Sequence, residues 1–383
     1  MSPAPDPAPL VEVTAAEDGV AVSVVGRPAA PPPFASAVLD ADGALLTWPD
    51  VTGPGLPDAH LDDASAAQAW LWDLYGPGTA RAVAAAGPAP LRVRAAPGAL
   101  ARPLAALALG HWAARWWPAS RLDGVPALDP DLLGLELAAL AHSCHRALPP
   151  DEAADLLLEH RAGIGALLEE DPPGLAAALA AVADAAGLDG EGVDALLGAA
   201  PPPAAPARPD GYALAAGPGA PGPARTLARG HGANDWCRYP AGFVDAAEDA
   251  VSWTVLARGA ARVVEVRAVA GPLRPSAAAR PVAEVAPSAG TAPLLVPLAP
   301  DGDAWAGSAG LDLPATAVPD PRVAVLLPGF DPGPSGPGAA AARDRLRALA
   351  ARRLDLARGA PAGPGEPPPF AAEVRAARDD EDF

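Results

Sequence analysis

The sequence predicts a multidomain α+β chain. N-terminal β-hairpins and a helical bundle come first, then a Pro/Gly linker and a C-terminal antiparallel β-sandwich-like domain with a terminal helix. Three observations carry this. Apolar residues alternate in the first fifty positions, recur at helical spacing from about residue 62 to 198, and fall into short runs split by turn residues from about 229 to 330. Proline and glycine crowd residues 199–228. The length of 383 residues is ample for more than one hydrophobic core.

In residues 1–50, Val11–Thr14 and Val20–Val25 flank Glu17-Asp18-Gly19, and Ala37–Asp40 and Ala44–Trp48 flank Asp42-Gly43. Asp-Gly between alternating apolar runs is a strong two-residue hairpin signal. Asp40 and Asp42 faintly resemble the start of a calcium loop, but no glycine at the sixth position and no closing Glu follow, so the hairpin reading prevails.

The helical domain, 62–198, opens at Asp63, a capping residue ahead of Trp70, Leu71 and Leu74 on one face, with a stop near Gly76-Pro77-Gly78. Leu91–Val93 can form a short strand. Further helices are expected over Pro103–Trp117 and Asp131–Leu148, then from Asp151 through Leu157, Leu158, Ile164 and Leu168. Others follow from Asp171 to Gly187 and over about Asp189–Leu197. Short connections favour antiparallel packing.

Pro201-Pro202-Pro203 and repeated Gly-Pro pairs read as a semi-rigid linker at 199–228. Gly217-Pro-Gly219-Ala-Pro-Gly222 matches a dinucleotide fingerprint in form only, since two prolines lie inside it and no strand precedes it. The β domain, 229–330, offers strands at Val251–Leu256, Arg262–Val269, Pro281–Val285, Pro293–Leu298, Ala304–Leu311 and Arg322–Leu327. A basic amphipathic helix follows at 339–358, with Leu346, Leu349 and Leu356 on one side, and an acidic tail at 359–383. The expectation is two separately folding bodies without a buried polar constellation, joined by the linker.

Composition narrows the chemistry. All 27 basic residues are Arg, and Ile, Asn and Gln occur once each, the mark of a very GC-rich genome. Part of the proline and glycine abundance therefore reflects codon usage. Without lysine, Schiff-base and lysine-dependent phosphoryl-transfer chemistry are excluded for this chain. The net charge of −19 is lopsided: residues 1–200 hold 26 acids against 9 Arg, and 201–383 hold 20 against 18. Such an acidic first half repels phosphate backbones, so no nucleic-acid partner is expected. Two cysteines are too few for a disulfide framework. The start of the chain lacks a basic n-region, and Leu100–Trp117 is interrupted by Arg102, His111 and Arg115. The expectation is a cytoplasmic protein with no membrane partner.

The best metal or nucleophile candidates are His142, Cys144 and His145. On a helical wheel centred on Leu133, Cys144 falls within about 40° of the buried stripe, His142 about 180° away and His145 about 120° away. That spread favours a core cysteine and two outward histidines over a site. His231, Asn234, Asp235, Trp236 and Cys237 contain the residue types of a thiol protease, but consecutive positions favour packing around Trp236. Trp112 and Trp116 share a helix face at i, i+4, read as core with a partner groove as the alternative. Phe383 ends the acidic tail and is a candidate peptide contact. No P-loop, H-E-x-x-H, G-x-S-x-G or kinase signature occurs, and no motif identifies a family. The functional expectation is a non-catalytic cytoplasmic accessory or adaptor protein, without cofactor or metal, that contacts another protein through Trp112, Trp116 or Phe383. The alternatives are a metal- or thiol-dependent hydrolase built on His142, Cys144 and His145, and a carbohydrate- or peptide-binding β module.

Overall fold

The structure is a computed structural model that describes residues 8–27, 31–53, 55–170, 172, 174–187, 225–259, 261–272, 280–287, 292–312, 320–330, 335–336, 338–363 and 365–379. It has mixed α+β content, with an N-terminal antiparallel sheet, helices, C-terminal antiparallel sheets and then further helix. The chain divides into two compact units that are not contiguous in sequence. Unit 1 comprises Met1–Trp116, Leu128–Pro202 and Gly338–Phe383, and unit 2 comprises Trp117–Ala127 and Pro203–Pro337.

Unit 1 begins with β1 (Leu10–Ala16), β2 (Gly19–Val24), β3 (Ala37–Ala41) and β4 (Ala44–Trp48). β5 (Asp58–Leu61) and β6 (Leu91–Arg94) complete an antiparallel sheet of order β3-β4-β5-β2-β1-β6. The Asp42-Gly43 hairpin forms as its sequence requires: Ala41 pairs with Ala44, and Gly43 takes a φ of +73°, which a residue without Cβ adopts at little cost. Alternation sends Ala37, Leu39, Ala44, Leu46 and Trp48 inward while Val38 and Leu45 stay exposed. The sheet therefore does not end with the hairpins at residue 50. β5 slots between β4 and β2, and its partners cannot be read from four residues of local pattern.

Helices α1 (Ala64–Leu74) and α2 (Pro77–Ala84) follow. The Asp63 side chain accepts hydrogen bonds from the Ser65 and Ala66 amides at 2.9 and 3.0 Å, a cap of about 1 kcal/mol. α1 stops at Leu74, just ahead of Gly76-Pro77-Gly78 as the sequence predicts, and Pro77 then starts α2 at its first turn, a position that needs no amide hydrogen. α3 (Ala101–Trp116) and α4 (Pro130–Ser143) are the long helices, and α4 packs on α3, α5 (Glu152–Glu159) and α7 (Leu175–Ala185). The helix expected to run from Asp151 past Leu168 is split into α5 and α6 (Ile164–Glu170). The His160 ring lies so close to α4 that a Cβ on Gly134 would stand 2.0 Å from it, and this contact fixes the break. The helix expected at 189–197 and most of the 199–228 linker lie outside the described residues. α8 (Ala339–Ala357) buries Leu346 and Leu356 as expected, and α9 (Ala371–Asp379) packs on α8 and α4.

Unit 2 holds β7 (Arg225–His231), β8 (Val251–Arg258), β9 (Ala261–Val269), β10 (Val282–Ala286), β11 (Leu294–Pro297), β12 (Ala299–Asp301), β13 (Ala304–Leu311) and β14 (Arg322–Leu326). They form sheets of order β12-β13-β9-β8-β7 and β11-β10-β14. Both inner faces share one core of Val251, Val255, Val264, Val285, Val296 and Val325 with Phe243 and Trp305, the layering of a β-sandwich. The first four residues of β7, 225–228, fall in the stretch that the composition assigned to the linker. The segment after α3 crosses into this unit, where Ser120 Oγ and the Arg121 amide both donate to the buried Asp245 carboxylate at 2.7 Å.

Candidate functional site

β7 is the end strand of the five-stranded sheet and β14 the end strand of the three-stranded one. They meet at one point, where the Ala233 amide donates to the Val323 carbonyl at 2.7 Å beside a parallel bridge between Ala233 and Ala324. Elsewhere the two edges enclose an open cleft of about 730 Å³, lined by Arg229, Gly230, His231, Trp253, Asp320 and Arg322 among others. That volume is within the usual range for ligand clefts.

The local sequence Arg229-Gly230-His231-Gly232 builds this edge. Alternation turns Arg229 and His231 to the exposed face and the glycines to the other. A Cβ on Gly230 would stand 2.6 Å from the Trp253 ring, and one on Gly232 would stand 2.6 Å from a Val251 methyl. Two positions without side chains thus let Trp253 lie flat under the strand, where its Nε1 donates to the His231 carbonyl at 3.1 Å. Arg229, His231, Arg322 and Asp320 are exposed, and among the described residues none of the three cationic or titratable bases makes an ion pair.

Beneath the edge, Asn234 is fully buried. Its Nδ2 donates to the Asp245 carbonyl at 2.9 Å and to the Ala247 carbonyl, and its Oδ1 accepts from the Tyr239 hydroxyl. Asp235 receives the Ser335 amide at 2.7 Å, the Ser335 hydroxyl, and the Cys237 amide at 3.2 Å. Trp236 and Cys237 are buried in the 3-10 turn Trp236–Arg238 that follows. The cluster from His231 to Cys237 therefore splits: His231 lines the cleft, and its neighbours hold the strand in place. The chemistry available is charge and backbone pairing. His231 has no acid or nucleophile set against it among the described contacts.

In unit 1, His142 and Ser143 end α4 and Cys144 caps it. Cys144 is buried, and burial pushes its thiol up to about 11, so it stays protonated near neutrality. His145 lies exposed with Nδ1 2.9 Å from the His142 carbonyl oxygen. Among the described residues no group of three or more His, Cys, Asp or Glu converges to hold a metal. His160, the nearest histidine in sequence, sits 3.2 Å from an Asp131 carboxylate oxygen.

Trp112 and Trp116 require a correction as partner contacts. They are 2% and 8% exposed, Trp112 Nε1 donates to the Phe34 carbonyl at 2.8 Å, and Trp116 meets the Phe34 ring edge-on at 6.3 Å. Both are core residues because their shared face is the one that packs inward. Phe383 lies outside the described residues.

The expected absence of buried polar constellations is also corrected. Besides the Asn234 and Asp245 networks, Arg353 and Glu373 pair in unit 1 with side chains 1% exposed, through bonds of 2.9 and 2.6 Å. Arg353 further donates to the Pro367 and Pro368 carbonyls at 2.7 and 2.8 Å and lies over the Phe370 ring. Glu136 of α4 accepts the Ala371 and Ala372 amides at the start of α9, and burial lifts its carboxyl to about 7. Glu136 joins residues over 200 positions apart, and Arg353 reaches its partners 14 to 20 positions on across a proline-rich turn, so no helical or strand periodicity reveals either. Arg229 and Arg322 were missed for a different reason: both fall within the expected β domain, Arg322 at the start of an expected strand, but no local pattern tells that β7 and β14 become neighbouring edges.

Comparison with protein-family models, curated proteins and solved structures found no match. Among the described residues no helix is long and apolar enough to cross a membrane.

Proposed function

We propose that this chain is a non-catalytic, cytoplasmic accessory protein that captures another protein, with the β7/β14 cleft as its recognition surface. The single observation behind this reading is the cleft itself: two neighbouring sheet edges, and three basic side chains that make no ion pair among the described residues, in a chain of net charge −19. Evolution rarely leaves an open edge without a purpose or a guard, and charges held apart from carboxylates are ready for a partner's. The buried state of Trp112 and Trp116 moves the proposed contact from unit 1 to unit 2.

A photo-crosslinking residue at Ala233, an exposed and uncharged lining position, used in extracts of the native host, tests this. One protein recovered from position 233 and absent from a control at the exposed Val38 supports the reading. The same set of proteins from both positions contradicts it.

A further inference from the structure

We infer that the occupant of the cleft is an extended acidic peptide that adds to the β7 edge as a further strand. This rests on the capture function proposed above and names the chemistry of the partner.

The first support is backbone geometry. Among the described residues β7 pairs with β8 alone, and Arg229 to Ala233 line the cleft. The Ala233 amide and the His231 carbonyl are already engaged by the Val323 carbonyl and Trp253 Nε1, and the remaining edge groups are open to the cleft. An end strand presents alternate amides and carbonyls to whatever lies beside it, and an incoming strand satisfies them. β14 leaves β7 after the Ala233 contact, so the space between the edges opens away from that point and admits a chain without rupture of an existing ladder.

The second support is charge in register. Arg229 and His231 stand two residues apart on the exposed face, a spacing of roughly 6.6 Å along a strand. A neighbouring strand with acids at i and i+2 sets one carboxylate opposite each. Arg322 approaches from the β14 side of the same cleft, and Asp320 is the only acid among the described lining residues. A basic or neutral strand would leave this charge unmatched.

The third support concerns what the cleft lacks. Sugar-binding faces rely on aromatic rings offered to solvent, whereas Trp253 is 6% exposed and is covered by Gly230. That favours peptide over carbohydrate.

The full-length protein is titrated against a fluorescent decapeptide that alternates Glu with Thr or Val, and binding is read by anisotropy. The probes for comparison are the same peptide with Lys for Glu, the acidic peptide with N-methylated backbone amides on its pairing edge, and a neutral glucan oligosaccharide. Binding of the acidic peptide that weakens with salt, and is lost at least tenfold on N-methylation and in the R229E/R322E variant, supports strand addition. An unchanged melting temperature of that variant shows that the loss is not unfolding. Equal binding of the Lys peptide, equal binding of the N-methylated peptide, or preference for the glucan overturns it. If position 233 still crosslinks one protein while the acidic peptide fails to bind, the capture function stands and strand addition falls. If position 233 crosslinks nothing specific, the capture function itself fails.

Discussion

Arg353 and Arg322 are the same side chain in opposite circumstances. Arg353 is almost fully buried and spends its donors on Glu373, Pro367 and Pro368, which closes the passage from α8 to α9. Arg322 is exposed at the mouth of a cleft and pairs with nothing described. The contrast separates two uses of charge. In unit 1, buried charges are saturated and hold remote segments together. At the β7/β14 cleft of unit 2, charge stays solvated and structure does not depend on it.

The sharpest test of that contrast is the pair of arginines. R353A leaves the Glu373 carboxylate buried without its cation, and breaking such a pair costs about 3–5 kcal/mol. Chemical denaturation of the full chain should show a loss of that size. A change under about 1 kcal/mol would place Arg353 among ordinary surface charges.

Glu136 gives a smaller, pH-dependent version of the same distinction. Burial raises its folded-state carboxyl from 4.5 to about 7, against hydrogen bonds from Ala371 and Ala372 that favour the charged form; Glu373 nearby raises it further and Arg353 lowers it. Between about pH 4.5 and 7 the unfolded chain gives up this proton while the folded chain keeps it. Stability from this group is therefore full below pH 4.5, falls as pH rises to 7, and is flat beyond. The span is at most about 3 kcal/mol. E136Q should flatten that part of the stability profile measured by denaturation from pH 5 to 8, and an identical slope in both proteins would remove Glu136 as its source.

The smallest expected effect is at the cleft. R229E/R322E should alter stability by less than about 0.5 kcal/mol, because solvated side chains without ion pairs contribute little to folding. A melting shift as large as that of R353A would show that the cleft charges are structural, and the contrast between the regions would collapse.

What the sequence made legible follows from the range of the interactions involved. The Asp42-Gly43 hairpin, the Asp63 cap and the inward face of α8 depend on neighbours within a few positions, and local pattern was enough for each. β5 and β7 are short, and their identity as strands is settled by partners elsewhere, so four residues after Pro57 and seven beside a Pro/Gly tract looked like connections. The two units escaped for the same reason. Asp245 collects donors from Ser120 and Arg121, more than a hundred residues earlier, so the segment 117–127 belongs with the strands and not with the helices on either side of it. A protease cut near residue 210 would not separate the units, because the N-terminal fragment would keep 117–127 of unit 2 and the C-terminal fragment would keep 338–383 of unit 1. At the cleft, His231 was visible and its surroundings were not: Trp253 and Arg322 reach it from strands 22 and 91 residues further on.

The central claim is that the β7 edge is kept open for a strand from another protein. Hydrogen–deuterium exchange of the full-length protein, with and without the acidic decapeptide, measures it most directly. Slowed exchange in the segment Arg225–Ala233, with the sheet of Leu10–Leu61 unaffected, is the expected result. Exchange at Arg225–Ala233 that stays unchanged at saturating peptide would contradict it.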